Sequence, residues 1–153
     1  MSFVTVETPR PGVSLVTLNR PERMNAMAFD VMVPFKEALE EISFDNGTRV
    51  VIVTGAGDGF CAGADLEDPG WLDIFDGLTM PGIARRAMKI LDDVIKTIQD
   101  MHQPVIGAIN GAAIGGGFCL AMATDIRVAS EKAYFRPAGI NNGLTSAELG
   151  LSY

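Results

Sequence analysis

Two stretches of small residues in this chain could present backbone N–H groups to a ligand. One is Phe60–Asp65 (FCAGAD), and the other contains three successive glycines, Gly115–Gly117. Small residues let a ligand reach the main chain, and a helix beginning at the glycines would add unpaired N–H donors and the positive end of its dipole. If the two stretches face each other, they form an oxyanion hole, which stabilises negative charge on a carbonyl oxygen.

Other reactive side chains give alternative hypotheses. Cys119 follows the glycines, and a helix N-terminus there would lower its pKa and make the thiol nucleophilic. His102 is the single histidine and could act as a base. Buried cysteines are usually inert and histidines are common at helix ends, so packing and helix-dipole roles are favoured for these residues and for Cys61.

Nucleotide and metal sites are not indicated. Gly55–Gly57 (GAG) follows a predicted strand, but Phe60 stands where a dinucleotide-binding fingerprint needs its third glycine. The cysteines and the histidine lack the spacing of metal ligands. We therefore predict no metal and no resident cofactor.

Composition is typical of a soluble single domain. The chain has 153 residues, a formal net charge of −7 and two cysteines, too few for a disulfide framework. The acidic balance argues against nucleic acid as a partner, although Arg20, Arg23, Arg85 and Arg86 could supply local charge to a phosphorylated ligand. Because Met1–Val6 lacks signal-peptide features and no apolar run reaches membrane-spanning length, we expect a cytoplasmic protein that does not bind membranes.

Predicted strands and helices alternate, which favours a layered α/β domain. Strands are predicted at Val4–Val6, Val13–Leu18, Val50–Val53, Pro104–Ile109, Ile126–Ala129 and Ala133–Phe135. Helices are predicted at Phe29–Ile42, Pro81–Met101 and Phe118–Ala123. Since proline is tolerated only in a first turn, Pro34 predicts that the regular part of the first helix begins after Phe29.

Four segments give a specific resemblance. They are Asn19–Ala26 (NRPERMNA), Phe60–Asp65, Pro104–Gly117 and Ala123–Ala129 (ATDIRVA). In this order they resemble the enoyl-CoA hydratase/isomerase (crotonase) family over nearly the whole chain. The resemblance implies an α/β fold of repeated ββα units, with residues 1–153 forming a crotonase-like N-terminal core domain.

The resemblance also implies a site and a substrate. The N–H groups of Ala64 and Gly116 would hold the oxygen of an acyl-CoA thioester, whose enolate they stabilise. Further contacts to the substrate and its CoA moiety are implied for Met24, Ala26, Ala62, Asp65 and Leu66. The CoA thioester is then the substrate and not a cofactor, in fatty acid or related acyl-CoA metabolism.

Two positions depart from the hydratase pattern. Hydratases of the family carry glutamates where this chain has Cys119 and Gly139, or Ala138 with a shift of one residue. Glu148 lies, with about one residue of slippage, near the acid of isomerase-type relatives, and one carboxylate can move a proton between the α and γ carbons. Double-bond isomerisation is therefore favoured over hydration.

Family members continue beyond Tyr153, with helices that cover the site and build trimers. We expect this C-terminal trimerisation region to be absent here, although the family resemblance implies a homo-oligomer, a trimer or hexamer. The alternatives are a non-catalytic acyl-CoA binding subunit and an inactive truncated remnant.

Overall fold

The computed structural model describes residues 2–138, which form eight strands and three α-helices. In chain order these are β1 (Val4–Arg10), β2 (Val13–Leu18), α1 (Phe29–Ser43), β3 (Val50–Gly55), β4 (Gly59–Cys61), α2 (Met80–Asp100), β5 (Val105–Ile109), β6 (Ala112–Ile114), α3 (Gly116–Ala123), β7 (Ile126–Ala129) and β8 (Tyr134–Arg136).

The strands form two sheets, and their topology positions the site. The larger sheet has the order β1-β2-β3-β5-β7, and the smaller has the order β4-β6-β8. Strands β2, β3, β5 and β7 are parallel, while β1 is an antiparallel edge strand. Because β4 follows β3 and β6 follows β5, the small sheet starts where the large sheet's parallel strands end. The predicted ββα repeat is confirmed in β3-β4-α2 and β5-β6-α3.

The core lies between the large sheet and the helices. Helix α1 buries Met32, Phe35 and Leu39 completely, as the helical spacing predicts. The prediction from Pro34 was wrong, because α1 is helical from Phe29 and contains Pro34. Packing of the apolar face offsets the hydrogen bond that the proline cannot donate.

Two short strands in the site region were not predicted. No strand was predicted at residues 59–61 or 112–114, but they pair as parallel strands β4 and β6. These strands consist mainly of small residues and are too short to show a periodic pattern. Helix α3 begins at Gly116, two residues before the predicted start, although glycine is a poor helix former.

The segment between β4 and α2 is largely irregular, but it is attached to the core. Phe75 is 1% exposed and its ring lies 5.1 Å from that of Phe29 in an edge-to-face arrangement. Trp71 packs on Phe75 from outside, with ring centroids 5.5 Å apart. Within the described residues, no helix is long and apolar enough to cross a membrane.

Candidate functional site

Ala64 lies in an extended stretch that leaves its N–H group unpaired. Its neighbours bond to Met27: the Met27 N–H donates to the Gly63 carbonyl (2.7 Å), and the Asp65 N–H donates to the Met27 carbonyl (3.4 Å). In a parallel pair of this kind, the N–H of the residue between the two bonds points away from the partner. Among residues 2–138 the Ala64 N–H has no acceptor, and the residue is exposed.

The start of α3 provides a second set of unpaired donors. Gly115 has φ +53° and its N–H donates to the Arg136 carbonyl of β8 (2.8 Å). The first helical bond runs from the Cys119 N–H to the Gly115 carbonyl (3.1 Å). The Gly116 N–H precedes that bond and has no acceptor in the part of the chain that the structure describes, as is usual in a first helical turn.

The two loops touch each other through glycine backbone. A methyl group added at Gly63, where φ is +86°, would lie 3.2 Å from the Gly116 nitrogen and 2.7 Å from the Ile114 carbonyl oxygen. A methyl at Gly117 would lie 2.1 Å from the Cys61 carbonyl oxygen. No side chain fits at either position. The fold therefore sets the unpaired N–H groups of Ala64 and Gly116 on adjoining segments.

Asp65 is a buried carboxylate with both oxygens occupied by protein donors. Its side chain is 2% exposed. Oδ1 accepts hydrogen bonds from the Arg23 side chain (2.6 Å) and from the backbone N–H groups of Glu67 (3.1 Å) and Asp68 (2.9 Å). Oδ2 accepts from Arg20 (3.3 Å) and again from Arg23 (3.2 Å). The bond from Arg23, followed by those from the backbone, holds the pKa of Asp65 well below its usual range.

The two arginines are held by further acids. Arg20 is 6% exposed and also binds Asp68 (2.6 Å), while Arg23 also binds Glu67 (2.7 Å). The bonds to Asp65 and Glu67 raise the pKa of Arg23. These arginines, expected to offer charge to a phosphorylated ligand, are engaged in internal ion pairs. Asp65 likewise turns its carboxylate inward.

A left-handed turn connects the Asn19–Ala26 segment to the Ala64 loop. Met24 and Asn25 have φ values of 49° and 55°, which are uncommon for residues other than glycine. The buried Asn25 side chain fixes the turn, accepting from the Arg20 N–H (2.9 Å) and donating to the Gly59 carbonyl (2.9 Å). The turn directs the Met24 carbonyl to the Ala62 N–H, at 3.0 Å.

The residues implied to contact CoA differ in their exposure. Met24 is 42% exposed and Leu66 is 79% exposed, whereas Ala26 is 6% exposed. The structure brings Met24 and Ala62 together through their backbone bond. Leu66 is two residues beyond Ala64, on the same exposed loop.

The cysteines are packing residues. Both belong to the hydrophobic core, and burial raises the pKa of Cys119 and raises that of Cys61 to about 12. The alternative hypothesis that a helix N-terminus lowers the pKa of Cys119 was wrong, because desolvation of the thiol disfavours the thiolate. The burial agrees with the packing role that the sequence favoured. Cys119 therefore places a buried thiol, and no carboxylate, where hydratases of the family carry a glutamate.

His102 lies away from this region. It is exposed and precedes β5, so it lies at the amino ends of the parallel strands, while the unpaired donors follow their carboxyl ends. Across residues 2–138, no group of three or more His, Cys, Asp and Glu side chains is placed to hold a metal ion. Gly139 and Glu148, the other two predicted positions, lie outside the described residues.

Comparison with known proteins identifies the family. The family model for enoyl-CoA hydratase/isomerase matches residues 8–153. A probable enoyl-CoA hydratase of Mycobacterium tuberculosis is 63% identical over all 153 residues. A probable enoyl-CoA hydratase/isomerase of Mycobacterium abscessus has a solved structure that is 65% identical, with a TM-score of 0.91 over the whole chain and 56% of that protein. The chain therefore belongs to the enoyl-CoA hydratase/isomerase family and has the crotonase fold.

A third relative bears a more specific description. The solved structure of a monofunctional enoyl-CoA isomerase of Mycobacterium smegmatis is 53% identical over the whole chain, with a TM-score of 0.78 and 60% of that protein covered. The chain spans about half the length of the curated relatives it matches, 54% for the M. tuberculosis protein.

Sequence reasoning missed the residues that hold the Ala64 loop. The ion pairs join Arg20 and Arg23 to acids more than 40 positions later in the chain. No local periodicity indicates such a contact. The only signal was that Asn19–Ala26 contains two arginines and that Phe60–Asp65 ends in an aspartate.

Proposed function

We propose that the protein binds an acyl-CoA thioester and stabilises its enolate with the backbone N–H groups of Ala64 and Gly116. The observation that carries the proposal is that both donors lack acceptors among the described residues and lie on loops in backbone contact. Two preorganised donors aimed at one oxygen would stabilise the charge that develops when the α carbon loses a proton.

The α3 helix strengthens the second donor. Gly116 is the first residue of this helix, where the aligned peptide dipoles favour negative charge. The buried surroundings of Gly116 reduce competition from water, which strengthens each hydrogen bond to an oxyanion. These features support enolate stabilisation without an acidic or basic side chain in the hole.

Double-bond isomerisation is the reaction that we propose for the whole protein. Cys119, a buried thiol with a raised pKa, replaces one hydratase glutamate, which leaves no carboxylate there to orient water. The proton would be moved by Glu148, acting between the α and γ carbons. The M. smegmatis relative described as a monofunctional isomerase favours the same reaction. We further propose that the protein is a homo-oligomer and acts in fatty acid or related acyl-CoA metabolism.

Incubation in heavy water tests the proposal. The purified protein is given a 2-enoyl-CoA and, separately, a 3-enoyl-CoA, and products are read by mass spectrometry. We expect deuterium uptake and interconversion of the two isomers, with little water addition. Glu148→Gln should abolish proton movement while acyl-CoA binding persists. If a folded protein binds neither ester, the proposal is wrong.

A non-catalytic acyl-CoA binding subunit is the second candidate. The loss of a carboxylate at Cys119 favours it, because the hole would then bind the thioester without completing a proton transfer. Saturable binding with no deuterium uptake from either isomer would identify this function. Absence of both binding and turnover would instead indicate an inactive remnant.

A further inference from the structure

We infer that Asp65 is a positioning residue that sets the direction of the Ala64 N–H, because its buried carboxylate fixes the loop on the carboxyl side of Ala64. This inference rests on the proposed role of Ala64 as an oxyanion donor. Asp65 follows Ala64 directly, so its carboxylate restrains the carboxyl side of Ala64. The Gly63–Ala64 peptide, which carries the donor N–H, is held on its other side by the bond from the Met27 N–H to the Gly63 carbonyl (2.7 Å).

The Asp65 carboxylate fixes the loop on its carboxyl side. Oδ1 accepts the N–H groups of Glu67 (3.1 Å) and Asp68 (2.9 Å), which closes a tight turn on the residue after Ala64. The Asp65 N–H donates to the Met27 carbonyl at 3.4 Å, a long bond that would hold the loop only weakly alone. The side-chain bonds therefore supply most of the restraint after Ala64.

Arg20 and Arg23 attach the turn closed by Asp65 to the Asn19–Ala26 segment. Arg23 contacts both carboxylate oxygens, through Nη2 at 2.6 Å and Nε at 3.2 Å. This paired arrangement fixes the plane of the carboxylate as well as its position. Arg20 adds a third contact from the buried side at 3.3 Å. The turn containing Asn25 orders the same motif, because the Asn25 side chain accepts the Arg20 N–H.

Asparagine cannot reproduce this arrangement. Every partner of the Asp65 oxygens is an N–H donor. In Asp65→Asn one oxygen becomes an NH₂ group, which would face either the arginines or the backbone donors. The loop would then shift to relieve the unfavourable contact, and the Ala64 N–H would move with it.

Asp45 offers a matched control. Its carboxylate also closes a turn, accepting from the Gly47 N–H (2.9 Å) and the Thr48 hydroxyl (2.7 Å), and its pKa is also lowered, first by the Thr48 bond. This turn follows α1 and precedes β3, at the opposite end of the parallel strands from Ala64. Asp45→Asn therefore makes the same substitution in a comparable turn without altering the Ala64 loop.

The experiment measures the bound thioester carbonyl directly. A saturated acyl-CoA labelled with ¹³C at the thioester carbonyl is bound to the purified protein, and the carbonyl stretch is read by isotope-edited infrared difference spectroscopy. Hydrogen bonds to the oxygen lower this frequency. We expect a lowered frequency in the wild type and in Asp45→Asn, and loss of at least half of that shift in Asp65→Asn. Proton exchange at the α carbon should slow by about 10²-fold in Asp65→Asn, as for a donor displaced by about 1 Å.

The possible failures are distinguishable. An unshifted carbonyl in the wild-type complex would overturn the proposed function, and the inference with it. A wild-type shift that persists in Asp65→Asn would overturn the positioning role alone. If Asp65→Asn does not fold, Arg23→Gln replaces it, because Arg23 is only partly buried and Asp65 keeps its bond to Arg20. A full wild-type shift in folded Arg23→Gln would then contradict the inference.

Discussion

The two loops of the site are held by different forces, although each presents an N–H group that has no acceptor among residues 2–138. The Ala64 loop is fixed by charged side chains, centred on Asp65 and its bonds to Arg20 and Arg23. The start of α3 is fixed by shape, because Gly117 packs against the Cys61 carbonyl where no Cβ fits. The difference teaches that one site can combine a loop that depends on charged side chains with one that is held by close backbone packing. The following predictions test this contrast.

Removing the Ala64 donor should have the largest effect. Ala64→Pro eliminates the N–H, which has no acceptor within residues 2–138, so little protein hydrogen bonding is lost. Deuterium exchange at the α carbon of a bound acyl-CoA should fall by about 10²–10³-fold. Thermal unfolding serves as the control for folding. An exchange rate within a factor of two of wild type would contradict the role of this donor.

Adding a methyl group at Gly117 should chiefly reduce stability. A methyl at Gly117 would lie 2.1 Å from a backbone oxygen that cannot move alone, so Gly117→Ala should lower the free energy of unfolding by about 3 kcal/mol. Gly82→Ala is the matched control, since a methyl there meets only atoms 3.5 Å or more away. That change, in α2, should be neutral or stabilising by up to about 1 kcal/mol. Urea unfolding measures both variants, and equal effects would argue against a steric lock.

The Ala64 loop should lose stability in acid. The pKa of Asp65 is lowered in the folded state, so the folded protein binds fewer protons than the unfolded chain and stability falls as pH falls. The contribution, on the order of 2 kcal/mol for a buried charged hydrogen-bonded group, is fully present above the ordinary Asp pKa of about 3.9. It declines as pH drops below that value toward the lowered folded pKa. Asp65→Asn should flatten this decline, measured as unfolding free energy against pH, and an unchanged slope would contradict the assignment.

Replacing Glu67, an exposed partner of Arg23, should have the smallest effect. Glu67 binds Arg23 at 2.7 Å but its side chain is 80% exposed. Water screens such a pair, so Glu67→Gln should cost no more than about 1 kcal/mol in unfolding free energy and should leave the bound carbonyl stretch unchanged. A loss as large as that of Asp65→Asn would mean that the cluster acts as a whole and not through the buried carboxylate.

The sequence predicted all five strands of the large sheet because most of them carry apolar, β-branched runs, although β1 extends to Arg10, beyond the predicted end at Val6. Val50–Val53 is an unbroken β-branched run, and it lies inside the parallel strand β3, where alternate residues are buried and the others half-buried. The long α2 helix was predicted to within one residue at each end, because its apolar stripe is strongly periodic.

The site was predicted only in part, for a physical reason. Its strands, such as Gly59–Cys61, consist of short runs of small residues whose pairing is decided by contacts with distant backbone. The left-handed turn at Met24 and Asn25 depends on side-chain bonds across the fold. The inward orientation of Asp65 likewise depends on partners more than 40 residues away, which local patterns do not encode.

The central claim is that the Ala64 and Gly116 N–H groups bind one thioester oxygen. A crystal structure of the protein with a saturated acyl-CoA, which cannot turn over, tests it most directly. We predict that the thioester oxygen lies within about 2.7–3.1 Å of both backbone nitrogens. An ordered acyl-CoA whose carbonyl oxygen contacts neither nitrogen would contradict the account.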